Sequence, residues 1–392
     1  MARLAYVGTD RQLHLIDADG CNPAQLTLSL GDNPLLLWGR PDLEPKSWAW
    51  PTWSPTGDRL ACFELPSGDD EVTGEAKLHV VDVTGVRQVE LLTVERGVPL
   101  YCQWQPDGGG LLLLVQDEDE LELQHVRLDR IGQASAVERG VPLFFAWQPD
   151  GRRIMVHTAS GGDPRTGRLV VRDTEGRLPD EVLPQDPGNY CAPVLLGDHV
   201  VHVERRRSHS SLVRTRLDGS EQVKLLEYEG LGAIVPAGAG RVVFSAAPQG
   251  EGTPYRGLLL VGDDGTIELS GDECLAFSWS EARGALVYAQ VDLDSNCLVW
   301  KVVEPGSPPR ELTRFWPSRE QLFYLRFFDQ FVQSHDLVDP SGRWLTFAGH
   351  TVEDAARGTE PQVHVIDLDG SPDPVDLAPG LFACFSPVVP DA

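Results

Sequence analysis

The sequence predicts an all-β protein, a β-propeller built from four-stranded antiparallel blades. The first observation is a recurring phrase, Trp-(Ser/Gln)-Pro-(Thr/Asp)-Gly, which is followed at once by a short apolar run and occurs at 53–57, 104–108 and 147–151. The second observation is its spacing, because Trp104 lies 51 residues after Trp53 and Trp147 lies 43 residues after Trp104. Four-stranded propeller blades repeat every 40–50 residues or so, about the spacing found here.

Each phrase predicts the first hairpin of a blade. Proline fixes φ at one corner of a tight turn, and glycine tolerates positive φ at another. The apolar run after the turn predicts the second strand, as at 59–63, 110–115 and 153–157. An alternating strand such as 77–82 then ends in an Asp-x-(Asp/Thr)-Gly turn before the last strand. Similar turns recur at 173–176, 217–219, 262–265 and 367–370.

Weaker repeats extend the pattern along the chain. The units 190–227, 232–269, 276–312 and 339–377 bring the count to seven blades from Trp53 onward. The C-terminal run 382–387 reads as an innermost strand alone, whereas the N-terminal region reads as three strands without one. We therefore expect residues 1–30 and 381–392 to form an eighth, closure blade by pairing the terminal strands, which removes an open sheet edge. Seven blades is the alternative if two weak units merge, and residues 1–392 are predicted to be one domain.

Composition restricts the partners and the location. The chain has 33 basic and 59 acidic side chains and a net charge of −26, which excludes nucleic acid and favours a partner with a basic or apolar surface. Its 7 cysteines are odd in number and lack CxxC spacing, so we expect free thiols and no zinc site. The N-terminus reaches a charged residue too soon for a signal peptide, and no apolar run approaches a membrane span. The expected location is cytoplasmic.

The Trp-Ser-Pro-Thr-Gly and Trp-Gln-Pro-Asp-Gly phrases resemble the TolB-like propeller repeat, which also occurs in the propeller domains of prolyl oligopeptidase and dipeptidyl peptidase relatives. The resemblance covers nearly the whole chain and implies the fold more strongly than the function. The peptidases carry an α/β-hydrolase domain, but this chain has no Gly-x-Ser-x-Gly elbow and no length left for that domain. TolB is an exported scaffold for protein partners. From this resemblance we expect binding of a protein partner, with a membrane-associated complex as an open possibility, but neither export nor peptidase activity.

Two long aromatic segments, 31–51 and 315–336, fall outside the repeat. Both are predicted to be crossovers from the outer strand of one blade to the inner strand of the next, which places them on the same face of the disc. Ser318 and Gln321 have capping-box spacing, and Leu322, Leu325 and Phe328 recur at helical spacing, which predicts a short amphipathic helix in the second segment.

This face carries the candidate partner-binding residues, because exposed aromatic and arginine side chains dominate protein interfaces. In the alternative interpretation, the second segment folds into the channel and buries its own aromatic rings. A separate basic cluster at 205–207 could bind a carboxylate or phosphate of a partner, or could be a solvated turn. The candidate residues are Trp38, Trp48, Trp50, Trp316, Arg326, Phe327, Phe328, Asp329, Gln330, His335, Arg205, Arg206 and Arg207.

The sequence thus favours a non-catalytic scaffold that binds a protein partner through one face. The alternative is an enzyme or small-molecule binder with a site at the channel mouth, which would use His335, Asp329 and nearby carboxylates. Adjacent Ser334, His335 and Asp336 are not evidence of a catalytic triad, which depends on spatial roles. No catalytic residue, cofactor or metal site is predicted, since the acidic run 117–120 and the Asp-x-Asp-Gly turns lack the calcium-loop pattern. Partner identity and oligomeric state stay open.

Overall fold

The computed structural model describes residues 1–27, 46–66, 75–85, 87–161, 163, 166–183, 191–206, 209–250, 252–371 and 373–388. Within these ranges the secondary structure consists of 29 β-strands and three short helices, so the predicted all-β class is confirmed. The repeated unit is a group of four antiparallel strands, as the recurring phrase predicts.

The chain begins with three strands, β1 (Arg3–Gly8), β2 (Leu13–Asp17) and β3 (Ala24–Gln25). Four separate sheets follow, each made of four antiparallel strands that are consecutive in the chain. Their strands are β4 (Lys46–Trp53), β5 (Arg59–Pro66), β6 (Ala76–Asp82), β7 (Gln88–Val94), β8 (Val98–Trp104), β9 (Gly110–Asp117), β10 (Glu120–Arg127), β11 (Ala134–Gly140), β12 (Leu143–Trp147), β13 (Arg153–Thr158), β14 (Arg168–Asp173), β15 (Glu181–Val182), β16 (Val194–Leu196), β17 (His199–Arg206), β18 (His209–Arg216) and β19 (Val223–Tyr228).

The other strands form one continuous ladder with β1, β2 and β3. They are β20 (Leu231–Pro236), β21 (Val242–Ala247), β22 (Tyr255–Gly262), β23 (Gly265–Ser280), β24 (Ala285–Asp292), β25 (Cys297–Val303), β26 (Arg310–Pro317), β27 (Trp344–Thr351), β28 (Gln362–Asp367) and β29 (Val375–Phe385). Three junctions make the ladder continuous. The long strand β23 pairs first with β22 and then with β24, the end of β26 pairs with β27, and β29 pairs first with β28 and then with β1. The helices are α1 (Arg319–Arg326), α2 (Phe328–Phe331) and α3 (Val352–Arg357).

The two ends of the chain meet in this ladder. The last part of β29 runs antiparallel to β1, with Phe385 opposite Leu4 and Phe382 opposite Val7. Strand β2 pairs with β1, and β3 pairs with β2. The C-terminal strand and the three N-terminal strands therefore share one group of four.

Both predicted crossovers are shorter than the sequence indicates. Strand β4 begins at Lys46, so Trp48 and Trp50 lie in a strand rather than in the crossover 31–51. Residues 315–317 likewise belong to β26, so the second crossover begins at Ser318. Both errors have one cause, because strands extend wherever a neighbouring strand can pair with them, and this pairing leaves no local signal in the sequence.

The repeated phrase forms the predicted turn in each clear unit. Gly57, Gly108 and Gly151 have φ values of 68°, 71° and 66°, which lie in the left-handed region that favours glycine. The N–H of each glycine donates a hydrogen bond of 2.8–2.9 Å to the carbonyl oxygen three residues earlier. The prediction of tight turns is therefore confirmed at these positions.

The tryptophan of the phrase ties one group of strands to the next. The indole N–H of Trp104 donates to the carbonyl oxygen of Thr52 in β4 at 2.9 Å, and that of Trp53 donates to the carbonyl oxygen of Cys384 in β29 at 3.2 Å. The indole of Trp147 is buried as well, but its N–H has no acceptor among the described residues. The first two tryptophans thus contribute both apolar contact and a buried hydrogen bond between blades.

Two further findings concern the state of the cysteines and the length of the helices. All seven cysteines are free thiols, and all except the exposed Cys21 are buried. Among the described helices, none combines the length and the apolar character needed to cross a membrane.

The contribution of the Trp104 hydrogen bond to stability can be measured by comparing variants of Trp104 and Trp147. We expect Trp104→Phe to lower the free energy of unfolding by about 1–3 kcal/mol more than Trp147→Phe, because only the first change leaves a buried carbonyl oxygen without its donor. Both changes remove the same ring atoms, so the two variants lose a similar amount of apolar packing. Denaturant unfolding of the two variants gives the comparison, and equal destabilisation would contradict a role for this bond.

Candidate functional site

The chain between β26 and β27, residues 318–336, fills the centre of the propeller, and we call it the central segment. Its helix α1 begins after Ser318, whose hydroxyl accepts a hydrogen bond from the N–H of Gln321 at 2.9 Å, which confirms the predicted helix start. The predicted capping box is incomplete, because the side-chain oxygen of Gln321 accepts from the N–H of Ala348 in β27 at 3.2 Å instead. Gln321 therefore fixes α1 to the neighbouring strand.

Aromatic contacts hold the central segment on several sides. The centre of the Phe331 ring lies 5.0 Å from that of Trp50 in β4 and 4.9 Å from that of Tyr101 in β8. The centre of the Phe328 ring lies 4.6 Å from that of Phe277 in β23. These strands, together with β12, β20 and β29, border the segment, and we call them the inner strands. The structure thus has the alternative arrangement, in which the segment fills the channel and buries its aromatic rings.

Polar groups of the central segment pair with the backbone of the inner strands. The side chain of Gln330 accepts from the N–H of Phe145 and donates to its carbonyl oxygen, both at 3.0 Å. The Tyr101 hydroxyl donates to the carbonyl oxygen of Gln330 at 3.1 Å. A carboxylate oxygen of Asp329 accepts from the N–H of Ala192 at 3.0 Å, while burial raises the pKa of Asp329. Gln330 and Asp329 therefore satisfy backbone groups that would otherwise be unpaired.

His335 lies in a closed network of hydroxyl groups. Its Nδ1 is 2.8 Å from the Ser334 hydroxyl, and its Nε2 is 3.1 Å from the Thr52 hydroxyl. The ring is fully buried, and burial lowers the pKa of His335 to about 3, so the imidazole is neutral. With both nitrogens engaged, His335 has no free position for a substrate, and it forms no triad with Asp336.

Burial corrects the surface role expected for several candidates. Trp48, Phe328, Gln330 and His335 are buried, so they cannot contact a partner in this conformation. Their residue types fit a recognition surface, but residue type does not show that Trp48 lies in β4 or that the others pack inward from the central segment. Of the four, only Phe328 belongs to the predicted helical pattern.

The other candidates have different surroundings. Trp316 is half-buried, and its indole N–H donates to the carbonyl oxygen of Asn296 at 2.8 Å. Arg205 and Arg206 occupy the end of β17, where their backbones pair with β18, and their side chains lie outside the described part of the structure. Trp38 and Arg207 lie outside the described residues altogether.

One aromatic row of the crossover face reaches the surface. The centre of the Phe323 ring lies 5.4 Å from that of Trp50 and 5.0 Å from that of Phe327, whose side chain is 45% exposed. Trp50 reaches this row because β4 bulges at Trp50 and Pro51, which face one residue on β5, and Trp50 has a φ of 51°. Arg326 is exposed beside the row and has no ion pair among the described residues.

We call Trp50, Phe323, Arg326 and Phe327 the crossover patch. Three of its members were candidates from the sequence, and Phe323 was missed. Its position four residues before Phe327 places both rings on the same face of a helix, which was the available signal.

A cavity of about 220 Å³ lies at the other end of the central segment, beside the turns that follow the inner strands, and we call it the turn-side cavity. Asp336 is an exposed residue that lines this cavity, and desolvation by the neighbouring protein raises the pKa of its carboxyl to about 6. Glu281 was missed as a lining residue. It stands where the proline of the repeated phrase would be, after Trp279 and Ser280, and this replacement was the available signal.

One group of side chains in the described residues brings three potential metal ligands together, namely Asp354, His364 and Asp376. The His364 ring bridges the two carboxylates, with Nδ1 3.0 Å from Asp376 and Nε2 3.4 Å from Asp354. Nε2 is also 3.3 Å from the carbonyl oxygen of Gly349, so both ring nitrogens have protein partners. Asp354 also accepts hydrogen bonds from the N–H and hydroxyl of Thr351, which caps α3. The group is therefore a structural hydrogen-bond chain that ties α3 to β28.

Four-stranded antiparallel groups with inner strands around a filled centre define a β-propeller. Comparison with solved structures agrees, because the chain matches a prolyl endopeptidase with a TM-score of 0.58 and 14% sequence identity, over 88% of this chain and 50% of that one. It also matches the β-propeller domain of the trilobed protease from Pyrococcus furiosus with a TM-score of 0.52 and 11% identity, over 85% of this chain and 98% of that one. The predicted resemblance to peptidase propeller domains is confirmed at the level of the fold.

TolB from Acinetobacter baumannii is also among the matches, with a TM-score of 0.38 and 18% identity, over 69% of this chain and 64% of that one. The chain spans half the length of the prolyl endopeptidase that it matches. No protein-family profile and no curated protein sequence matches the chain.

Gln330 provides a test of how the central segment is held. We expect Gln330→Leu to lower the free energy of unfolding by about 2–5 kcal/mol, because the buried N–H and carbonyl oxygen of Phe145 both lose their partner. Gln333→Leu is the matched control, since the Gln333 side-chain nitrogen has no acceptor among the described residues. Denaturant unfolding distinguishes them, and a cost for Gln330→Leu no larger than that of the control would show that these bonds do not stabilise the segment.

Asp336 is expected to make stability depend on pH. Its pKa is about 6 in the folded protein and about 4 in an unfolded chain, so the folded protein binds the proton more tightly and loses stability as pH rises from about 4 to about 6. Asp336→Asn removes this loss.

The gain in melting temperature from Asp336→Asn should therefore be small near pH 4 and reach a plateau above about pH 6, at a few degrees at most, because the carboxylate keeps contact with water. Thermal unfolding across this pH range measures it. The exposed Asp119→Asn serves as control, and a gain that does not change with pH would rule out the raised pKa.

Proposed function

We propose that this protein is a non-catalytic propeller scaffold that binds a protein partner through the crossover patch. The observation that supports this function is the filled centre. The central segment occupies the place where an open channel would give a propeller its ligand site, and its polar groups are paired with the inner strands. Catalysis by His335 or Asp329 has no support in this geometry, because both side chains bond to protein groups.

The crossover patch has the composition of an interface centre. It combines Trp50, Phe323 and Phe327 with the unpaired guanidinium of Arg326, and tryptophan and arginine are the residue types most enriched among binding hot spots. The rings pack against one another at interplanar angles of 49° and 50°, and Trp50 also packs against the buried Phe331 and Phe382. Little side-chain entropy is therefore lost on binding. The surrounding net charge of −26 favours a partner whose surface is basic or apolar around the contact.

We further infer that the whole chain is one propeller of eight blades. If β23 and β29 each serve two blades, the long ladder divides into three groups of four strands and one group of three, β27, β28 and the first part of β29. The isolated bridge of Val338 to Leu345 lies where the inner strand of that group would be, and four separate sheets precede the ladder. In this arrangement the last part of β29 with β1, β2 and β3 is the closure blade. A cytoplasmic location and a membrane-associated partner remain predictions from the sequence.

The proposed interface is tested by affinity capture from native cells with two matched variants. We expect a stoichiometric protein to bind the wild type but not Arg326→Ala with Phe327→Ala, because these two side chains supply the exposed part of the patch. Arg130→Ala with Ile131→Ala is the control, since it changes the same charge at a distant hairpin where Ile131 is 61% exposed.

Both variants should unfold like the wild type, because the truncated side chains are exposed. A partner that binds all three proteins equally would place the interface elsewhere. No stoichiometric partner for any of them would overturn the scaffold function.

A further inference from the structure

The turn-side cavity is a separate feature from the crossover patch, and its interpretation does not rest on the proposed function. The central segment closes the inner end of the cavity with Tyr324, Val332 and His335. The sides are residues 278–282, at the end of β23 and in the turn after it, and residues 338–340, between the central segment and β27. Since one water molecule occupies about 30 Å³ in the liquid, about 220 Å³ has room for about seven non-hydrogen atoms.

The charged side chains that line the cavity are all acidic. Its lining includes the carboxyl groups of Glu281, Asp336 and Asp339 and contains no lysine or arginine. Asp339 is satisfied within its own turn, where it accepts from the backbone N–H groups of Ser341, Arg343 and Trp344.

Glu281 and Asp336 differ from Asp339, because neither carboxylate has a hydrogen-bond or ion-pair partner among the described residues. Glu281 and Asp336 are both exposed to water in the cavity, and Glu281 lies against Gly238. The cation closest in sequence, Arg283, contacts Asp369 at 2.6 Å and Glu304 at 3.5 Å, so it is already engaged.

The rest of the lining combines apolar and aromatic side chains with the polar Ser278, Ser280 and His335. Val235, Val332 and Leu337 provide walls against which a hydrocarbon chain can pack, and the half-buried Trp279 lines the same cavity as Glu281 and Asp336. An aromatic ring attracts a cation through its electron-rich face. A ligand for this cavity therefore needs a positive charge at one end and an apolar stem.

A compact metal ion fits this arrangement less well. Within the described residues, Glu281, Asp336 and Asp339 do not form a set of ligand atoms within 4.8 Å of one another. A divalent ion requires several oxygen ligands converging at 2.0–2.6 Å or so, about half that span. Separated carboxylates suit a larger organic cation.

We propose that the turn-side cavity binds a primary alkylammonium group on a chain of about five carbons, either as a free amine or as a lysine side chain. The ammonium group donates hydrogen bonds to Asp336 and Glu281, and the stem packs against Trp279 and the apolar walls. The pKa of Asp336 is raised by desolvation, which a bound ammonium group offsets. The charge of Asp336 contributes to the raised pKa values of Tyr324 and Cys384, and both of these groups are neutral at physiological pH.

The experiment is calorimetric titration of the full chain with n-pentylamine at neutral pH and low salt. We expect saturable binding of the amine and none of 1-pentanol, which has the same stem without the charge. Asp336→Asn should weaken binding by about tenfold or more, because it removes one of two charge-assisted hydrogen bonds. Asp119→Asn, which removes an equal charge from an exposed hairpin, should bind like the wild type.

Glu281→Gln is the second variant, and its exposed position keeps the test valid if Asp336→Asn fails to fold. N-acetyl-lysine amide and N-acetyl-norleucine amide distinguish the two sources of the ammonium group. Binding of the lysine amide but not the norleucine amide identifies a lysine side chain of a partner, whereas binding of pentylamine alone identifies a free amine.

Three results would overturn the proposal. One is the absence of amine binding at concentrations up to tens of millimolar. Another is equal affinity in the wild type and in both acid variants. The third is saturable binding of calcium chloride without any binding of amine, which would make the cavity a metal site. The crossover-patch variant should bind pentylamine normally, so the failure of one proposal leaves the other intact.

Discussion

The inner strands direct aromatic rings and backbone polar groups toward the centre of the propeller, and the central segment is what keeps both out of water. Phe145 shows the constraint most directly, because its N–H and carbonyl oxygen both point inward and pair with Gln330. Trp50 and Tyr101 would likewise expose much of their rings without Phe331. A buried polar group without a partner costs a few kcal/mol, and an exposed ring forfeits its burial, so an empty centre would be unfavourable in both respects.

This constraint explains where the sequence was informative and where it was not. The turn phrase and the start of α1 depend on neighbouring residues, and both were predicted from the residues themselves. The surface role of Phe328 failed because helical periodicity shows which side chains share a face and cannot show what that face meets. Gln330 and His335 are buried as well, and no sequence pattern indicates their burial. Trp48 failed for a related reason, since only pairing with β5 reveals that β4 begins at Lys46. Asp336 carries no local signal at all, because its surroundings come from distant turns.

Filling the centre also divides the functional surface in two. The crossover side is built from long connections, which carry rings and Arg326 that the strands do not need for pairing. The turn side is built from tight turns, in which carboxylates such as Asp339 accept backbone N–H groups. Glu281 takes the place of a proline in one of these turns, and the protein thereby gains a carboxylate that its own backbone does not use. The two mouths consequently differ in chemistry, one aromatic with a free cation and the other acidic.

That difference bears on how a partner could be oriented. A net charge of −26 attracts a basic protein from every direction, because the electric field far from a protein depends on its net charge and only weakly on how the charges are arranged. Screening limits this attraction to about 10 Å at moderate salt, so it increases the encounter rate without selecting a face. Selection must come from short-range contacts, and a face can be selected only if its contacts differ from those of the rest of the surface. Arg326 with its adjacent rings is such an exception in an acidic surface, and it can favour one docking orientation where the overall charge cannot.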